Sequence, residues 1–409
     1  MKKILNNTIL GIGFMIFVAS CTGRNQESSE SSSDSSSAMP TDSVAFKKHI
    51  LTREFISEGV AVGDVNHDGN VDVMAGAYWF QAPDWEAHEI FEGKSFDPAK
   101  EYSNSFINYS LDVNQDEWID LILIDYPGKV AWWYENPKNA DGPWIKHILH
   151  ETVEVGNESP AFVDMDGDGR LDILCADSKE KQIVWLRAPL DKKATTWTKF
   201  AISEKNVPGT DRFSHGIGLG DLNMDGRKDV IIKQGWWEAP EDRMKPNWVF
   251  HPADLGEDCS HMHALDVNGD GLHDVVSASA HRYGIWWYEQ GKDGQGNMTW
   301  KKHEFSNAFS QSHSSALIDL SGDGNPDLIV GKRFFAHNDT DNDPGAHDPA
   351  VLYWFEHTPR NEPFFKGHEI DNDSGSGLNI ITQDITGDNA SDIVVANKKG
   401  VFVFERVIL

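Results

Sequence analysis

Cysteine is scarce, with three in 409 residues. Cys175 and Cys259 cannot form a disulfide framework, so packing and ions must hold the fold. Cys175 sits in the apolar run Leu171-Asp172-Ile173-Leu174-Cys175-Ala176, where a buried thiol is expected. Basic charge is scarce too: 36 Lys plus Arg stand against 65 Asp plus Glu, a net charge of −29. Phosphate backbones are held by clustered cations, so a nucleic-acid partner is excluded. A long apolar run is the third absence, because the stretch from Ile9 to Val18 is too short to span a bilayer.

That stretch follows Lys2 and Lys3 and precedes Val18-Ala19-Ser20-Cys21, the layout of a secretory signal. Its last four residues resemble a bacterial lipobox, which implies lipidation of Cys21. Residues 1–20 are expected to be a lipoprotein signal peptide and residues 21–44 the lipidated cysteine and a Ser/Glu-rich tether too polar to fold. The folded part, residues 45–409, then works in the bacterial cell envelope, outside the cytoplasm and anchored to a membrane through Cys21.

What the chain does have is a core-forming composition, 39% hydrophobic with 15 Trp, and a repeat. Seven times an apolar strand is followed by a carboxylate-rich loop, a second apolar strand and an aromatic strand. Positions 1, 3, 5 and 9 of the loops are Asp64, Asn66, Asp68, Asp72; Asp112, Asn114, Asp116, Asp120; Asp164, Asp166, Asp168, Asp172; and Asp221, Asn223, Asp225, Asp229. They continue as Asp266, Asn268, Asp270, Asp274; Asp319, Ser321, Asp323, Asp327; and Asp384, Thr386, Asp388, Asp392. The first aspartates are 45 to 65 residues apart, a period that indicates a propeller or solenoid. The seventh copy lacks an outer strand, and Phe46-Lys47-Lys48-His49-Ile50 matches the outer strand Trp144-Ile145-Lys146-His147-Ile148. The expected fold is all-β, a seven-bladed propeller closed by its N-terminal strand, which leaves no open sheet edge.

Oxygen ligands at alternate positions around a tight turn suit Ca²⁺, which accepts six to eight oxygens in loose geometry. Up to seven structural Ca²⁺ ions are expected, drawing on 22 of the 65 acidic residues. Position 6 is Gly in five loops, where the turn needs φ > 0; Glu117 and Asn389 depart from this, and loop two is the weakest candidate. The pattern resembles the FG-GAP or VCBS repeat family, including the propeller of integrin α-subunits. That resemblance covers nearly all of residues 45–409 and is specific for fold but not for function, since members include adhesion modules and enzymes.

Each loop joins the end of an inner strand to the start of the next, so the opposite mouth receives the other strand ends. Six residues before each first aspartate stand Glu58, Phe106, Glu158, His215, Ser260, His313 and Leu378. Of the 17 histidines, His49, His88, His147, His303 and His368 recur on outer strands as blade architecture, and His67 and His273 lie in the loops, expected to be solvated. His215, His261, His263, His281 and His313 share the mouth. Neutral imidazoles from several strands suit Zn²⁺ or a similar transition metal with one position left open. The expected ligands are His215 and His313 with His261 or His263; Glu158 and His281 are the proton-transfer groups. Lys332 and Arg333 would hold a developing oxyanion. Lys233, Glu58 and Asn108 are candidate substrate contacts. The insertion from Ala336 to Asp348 reads as a solvated acidic loop long enough to overhang the mouth.

Arg212-Phe213-Ser214-His215-Gly216, Cys259-Ser260-His261-Met262-His263, Ser312-His313, Gly331-Lys332-Arg333-Phe334 and Asp373-Ser374-Gly375 resemble a subset of bacterial secreted propellers. That subset is similar to the propeller domain of fungal aldos-2-ulose dehydratase, which implies a zinc-supported lyase acting by β-elimination on a keto-sugar. The alternative is a non-catalytic calcium propeller that binds a carbohydrate or a protein, with no transition metal.

Overall fold

The structure, a computed structural model, describes residues 44–138, 142–337, 343–360 and 364–408. Cys21, the expected signal and the tether up to residue 43 lie outside the described residues, as do Asn338 and Asp339 of the insertion. Among the described residues every regular element is a strand, 28 in all, arranged as an all-β propeller. Five sheets are four-stranded antiparallel meanders and a sixth has eight strands.

The third unit illustrates how a blade is made. Its strands Ala161–Val163, Asp172–Asp177, Gln182–Arg187 and Thr198–Ala201 lie side by side in sequence order. The second is buried throughout, because a neighbouring sheet covers each face. Strand period two sends Ile173 and Cys175 toward Ile122, Ile124 and Trp133 of the preceding unit. Leu174 and Ala176 go the other way, toward Ile217, Val230 and Trp237 of the next. The core is therefore a series of apolar layers between blades. Cys175 and Cys259 are both buried and free.

The N-terminal strand Val44–Thr52 pairs antiparallel with Gly400–Ile408, His49 opposite Val403, and completes the sheet of the C-terminal strands. In contrast, the fourth and fifth units share one sheet. Their first strands, Ile217–Gly220 and Met262–Leu265, pair in parallel through Gly218 opposite Met262 and Leu219 opposite His263, which creates the eight-stranded sheet. The cause is three glycines at alternate positions. A Cβ on Gly216, Gly218 or Gly220 would lie 2.5 Å from the Cys259 sulfur, 1.9 Å from the Met262 carbonyl or 1.9 Å from the Ala264 Cβ. Without side chains the two backbones close to hydrogen-bonding distance.

Outer-strand histidines are architectural. His147, His251, His303 and His368 each stack on a third-strand Trp at 4.1 to 4.4 Å and bond a Glu at 2.7 to 3.3 Å. His49 bonds Glu405 at 2.6 Å and His88 stacks on Trp79. The loop histidines are not simply solvated. His67 stacks on Trp118 at 3.8 Å and bonds the Glu117 carbonyl, and His273 bonds the Asp221 carbonyl, so each ties its loop to a neighbour.

Candidate functional site

The carboxylate loops are wired alike. In loop one Asp64 accepts the N–H groups of Asp68 and Gly69, both at 3.1 Å. The position-nine aspartate is fully buried, and its two oxygens accept different backbone N–H groups: Asp72 takes Val65 and Ala82, and Asp274 takes Val267 and Gln290. Burial pushes these carboxyls up, Asp120 to about 8 and Asp172 and Asp274 to about 7. Glu117 and Asn389 take up the same turn at φ 79° and 64°, donating to Asp112 and Asp384 as glycine does elsewhere. A cation cage is best formed in loop three, where oxygens of Asp164, Asp166 and Asp172 lie within 4.8 Å of one another. That loop already carries a cation, since Arg187 reaches Asp166 at 2.8 Å and Asp168 at 2.9 Å. The donor set fits Ca²⁺, with Arg187 as an internal competitor in this loop.

At the opposite mouth His215, His281 and His313 bring ring nitrogens within 4.8 Å of one another. The ring centroids form a triangle of 4.7, 5.2 and 5.4 Å. Burial holds all three below the usual imidazole range: His281 falls to about 4, His215 is lowered despite the pull of Glu158, and His313 is lowered well below it, with Arg333 adding to the effect. Neutral rings keep lone pairs for a metal. His313 directs Nδ1 at the Gln311 carbonyl, 3.3 Å away. Both nitrogens of His215 and Nε2 of His281 are buried without a hydrogen-bond partner. Such orphaned atoms are costly in a fold, and a transition metal fits them.

Glu158 completes the arrangement. Its Oε2 lies 3.8 Å from His215 Nε2, 3.9 Å from His313 Nε2, and accepts from Arg333 Nη1 at 2.8 Å. Burial pushes its carboxyl up, but the Arg333 guanidinium outweighs that and holds it below the usual range. The second nitrogen of Arg333 donates to Glu58 at 2.6 Å, so one buried guanidinium bridges two blades.

These positions group the expected residues differently from their order in the repeat. His281 takes the third place in the trio, and His261 and His263 stand outside it; His263 is bonded to the Ser315 hydroxyl at 2.9 Å. Lys332 is unavailable to an oxyanion, because its ammonium is buried against the carbonyls of Gly345, Ala346 and Asp348. Arg333 and Glu58 are likewise committed to their clamp. Asn108 is a buried inter-blade tie that accepts from Ser57 and Ser105, out of reach of a substrate. Lys233 is paired with Asp258.

His215 and His281 of the trio line a cleft of about 310 Å³ together with Tyr102, Phe106, Tyr126, Phe213, Glu158 and Asp258. A hollow of about 430 Å³ adjoins it across Asp258 and His281. The insertion is more than a solvated loop: His337 lines the cleft, 4.9 Å from the His281 ring, and bonds Asp343 at 2.5 Å. Tyr102 and Asp258 escaped sequence reasoning because they lie off the repeat phase, and His337 entered it only as part of the overhanging insertion. Phe213 was visible only as the neighbour of His215.

Residues 112–175, 164–232 and 266–330 match the FG-GAP-like repeat. The chain is 28% identical over 166 residues to the T-cell immunomodulatory protein of Mus musculus, a match covering 36% of this chain and 26% of that protein. The chain thus spans about a quarter of that relative's length. Among solved structures it is similar to an Agrocybe aegerita lectin that recognises non-reducing terminal N-acetylglucosamine, at TM-score 0.44 and 15% identity, covering 81% of each chain. It is also similar to BBS1N, solved in complex with ARL6DN, at TM-score 0.48 and 11% identity, covering 90% of this chain and 97% of that one. The chain carries FG-GAP-like repeats folded as an all-β propeller.

Proposed function

We propose that this protein is a lipid-anchored, extracytoplasmic propeller of seven blades, the eight-stranded sheet counting as two, that acts as a carbon–oxygen lyase on an oxidised sugar. In this reading it is similar to the propeller domain of aldos-2-ulose dehydratase, and its carboxylate loops are structural Ca²⁺ cages. The observation that carries the reading is the trio of neutral histidines with unpartnered nitrogens, beside an ionised Glu158 and open to a sugar-sized cleft.

A Zn²⁺ or similar ion held by His215, His281 and His313 would supply Lewis acidity toward a substrate carbonyl. The chain's own residues move the protons. Arg333 keeps Glu158 ionised and fixes its Oε2 beside the trio, where it takes the proton α to the carbonyl. As that C–H bond breaks, its electrons form a C=C bond and the β C–O bond breaks. The departing oxygen takes a proton from the rim, where His337 is bonded to Asp343 within reach of water. Water or an alcohol leaves, and Glu158 returns its proton to solvent.

The second reading, a sugar-binding module, draws on the aromatic wall of the same cleft. Elemental analysis separates the two: the lyase carries one transition metal per chain, and the binder carries Ca²⁺ alone. The lyase releases an enone from a 2-keto-sugar, followed by ultraviolet absorbance. Retained turnover in a His215→Ala, His313→Ala variant sinks it.

A further inference from the structure

We propose that the cleft selects a sugar ring bearing an acidic group, with Phe213 and Tyr126 as its stacking wall and Arg212 as the residue that reads the charge. This deepens the sugar reading above and rests on it.

The wall is preset. Tyr102, Phe106, Tyr126 and Phe213 touch in sequence at centroid distances of 5.2 to 5.9 Å, so each ring fixes the next. Phe213 is 37% exposed, the most exposed ring of the four. Its backbone sits at φ 64°, and its N–H is pinned to the Gly156 carbonyl at 2.7 Å. A bulky residue held in left-handed backbone with an exposed ring marks a functional constraint.

Arg212 is preset as well. Its guanidinium lies 4.8 Å from the centroids of both Tyr126 and Phe213. Its stem lies so close over Gly128 that a Cβ there would be 2.9 Å from Arg212 Cδ. The other cations around this rim are spent: Lys129 on Asp125, Lys181 on Asp211, Lys233 on Asp258. Among the described residues Arg212 has no carboxylate partner, in a chain where acids outnumber bases 65 to 36. An exposed guanidinium without a carboxylate partner, stacked on two rings of the cleft wall, suits a carboxylate or sulfate.

The other charged residues of the cleft offer an anion no free cation, since Glu158 is held by Arg333 and Asp258 by Lys233, so the acidic group faces Arg212.

Calorimetric titration of the metal-loaded protein with glucose, glucuronate and glucose 6-sulfate tests this, alongside metal analysis and keto-sugar turnover. An acidic sugar should bind about tenfold tighter than glucose, the scale of one charge-assisted contact. Whichever of glucuronate and glucose 6-sulfate shows the preference identifies the acidic group. Arg212→Gln should bring the affinity for the acidic sugar down to that for glucose measured on the same variant, while Phe213→Ala weakens acidic and neutral sugars alike. Equal binding of all three, or a preference that survives Arg212→Gln, overturns the inference and leaves the lyase reading intact. A protein with no transition metal, no turnover and no sugar binding overturns both.

Discussion

The two ends of the inner strands come from one repeat and follow different rules. On the loop end the position-nine aspartate is the same in every copy, from Asp72 to Asp392, and each accepts backbone N–H groups that would otherwise be buried alone. At the mouth the equivalent places hold Glu58, Phe106, Glu158, His215, Ser260, His313 and Leu378, no rule at all. Here the buried nitrogens of His215 and His281 have no partner. Polar atoms that satisfy the backbone serve the fold. Polar atoms left unsatisfied in the interior cost stability.

The largest effect should come from removing a loop aspartate. Asp274→Ala deprives the Val267 and Gln290 N–H groups of their acceptor, at 3.0 and 2.7 Å. Two orphaned buried donors cost roughly 3–5 kcal/mol. His215→Gln should change stability by less than about 1 kcal/mol, because it removes no satisfied partner. Urea unfolding of both variants under chelation measures the contrast. Equal losses would erase the distinction between a structural end and a functional one.

The loop end was legible because its signal is repeated. Seven copies in phase give strand order, the loop face and the replacement of the missing outer strand by Phe46 to Ile50. The same phase projected Glu58, Glu158, His215 and His313 onto one mouth. It failed where distance decides. Nothing in the spacing says that His281, at a second-strand end, reaches the trio while His261 and His263 do not. Lys332 and Arg333 are neighbours in sequence, yet one ties the insertion and the other bridges two glutamates. His337 reaches the cleft from an insertion that no other copy contains. Merging of the fourth and fifth units left a readable trace, since Gly216, Gly218 and Gly220 alternate along one strand face.

Those glycines offer the next break. Gly218→Ala sets a Cβ 1.9 Å from the Met262 carbonyl, a clash with backbone that no side-chain movement relieves. Separating the two first strands should cost about 3 kcal/mol. Because His215 stands two residues before this strand, the zinc content expected of the proposed lyase should fall too, although every imidazole remains. A variant that unfolds earlier but keeps its full zinc complement would mean that the mouth is set independently of the shared sheet.

The smallest effect has the opposite sign. Glu117 occupies, at φ 79°, the turn position that is glycine in five of the loops. Left-handed backbone costs an ordinary residue about 1–2 kcal/mol. Glycine gives back about 0.5–1 kcal/mol through the freedom it restores to the unfolded chain. Glu117→Gly should therefore stabilise the protein by about 0.5–1 kcal/mol. The Glu117 N–H to Asp112 and the Glu117 carbonyl to His67 are main-chain contacts and survive the change. Thermal unfolding with chelator and with Ca²⁺ sharpens the comparison. A gain in both conditions makes loop two one more copy of a structural rule; a loss confined to Ca²⁺ makes the Glu117 carboxylate a ligand and ends the uniformity of the loop face.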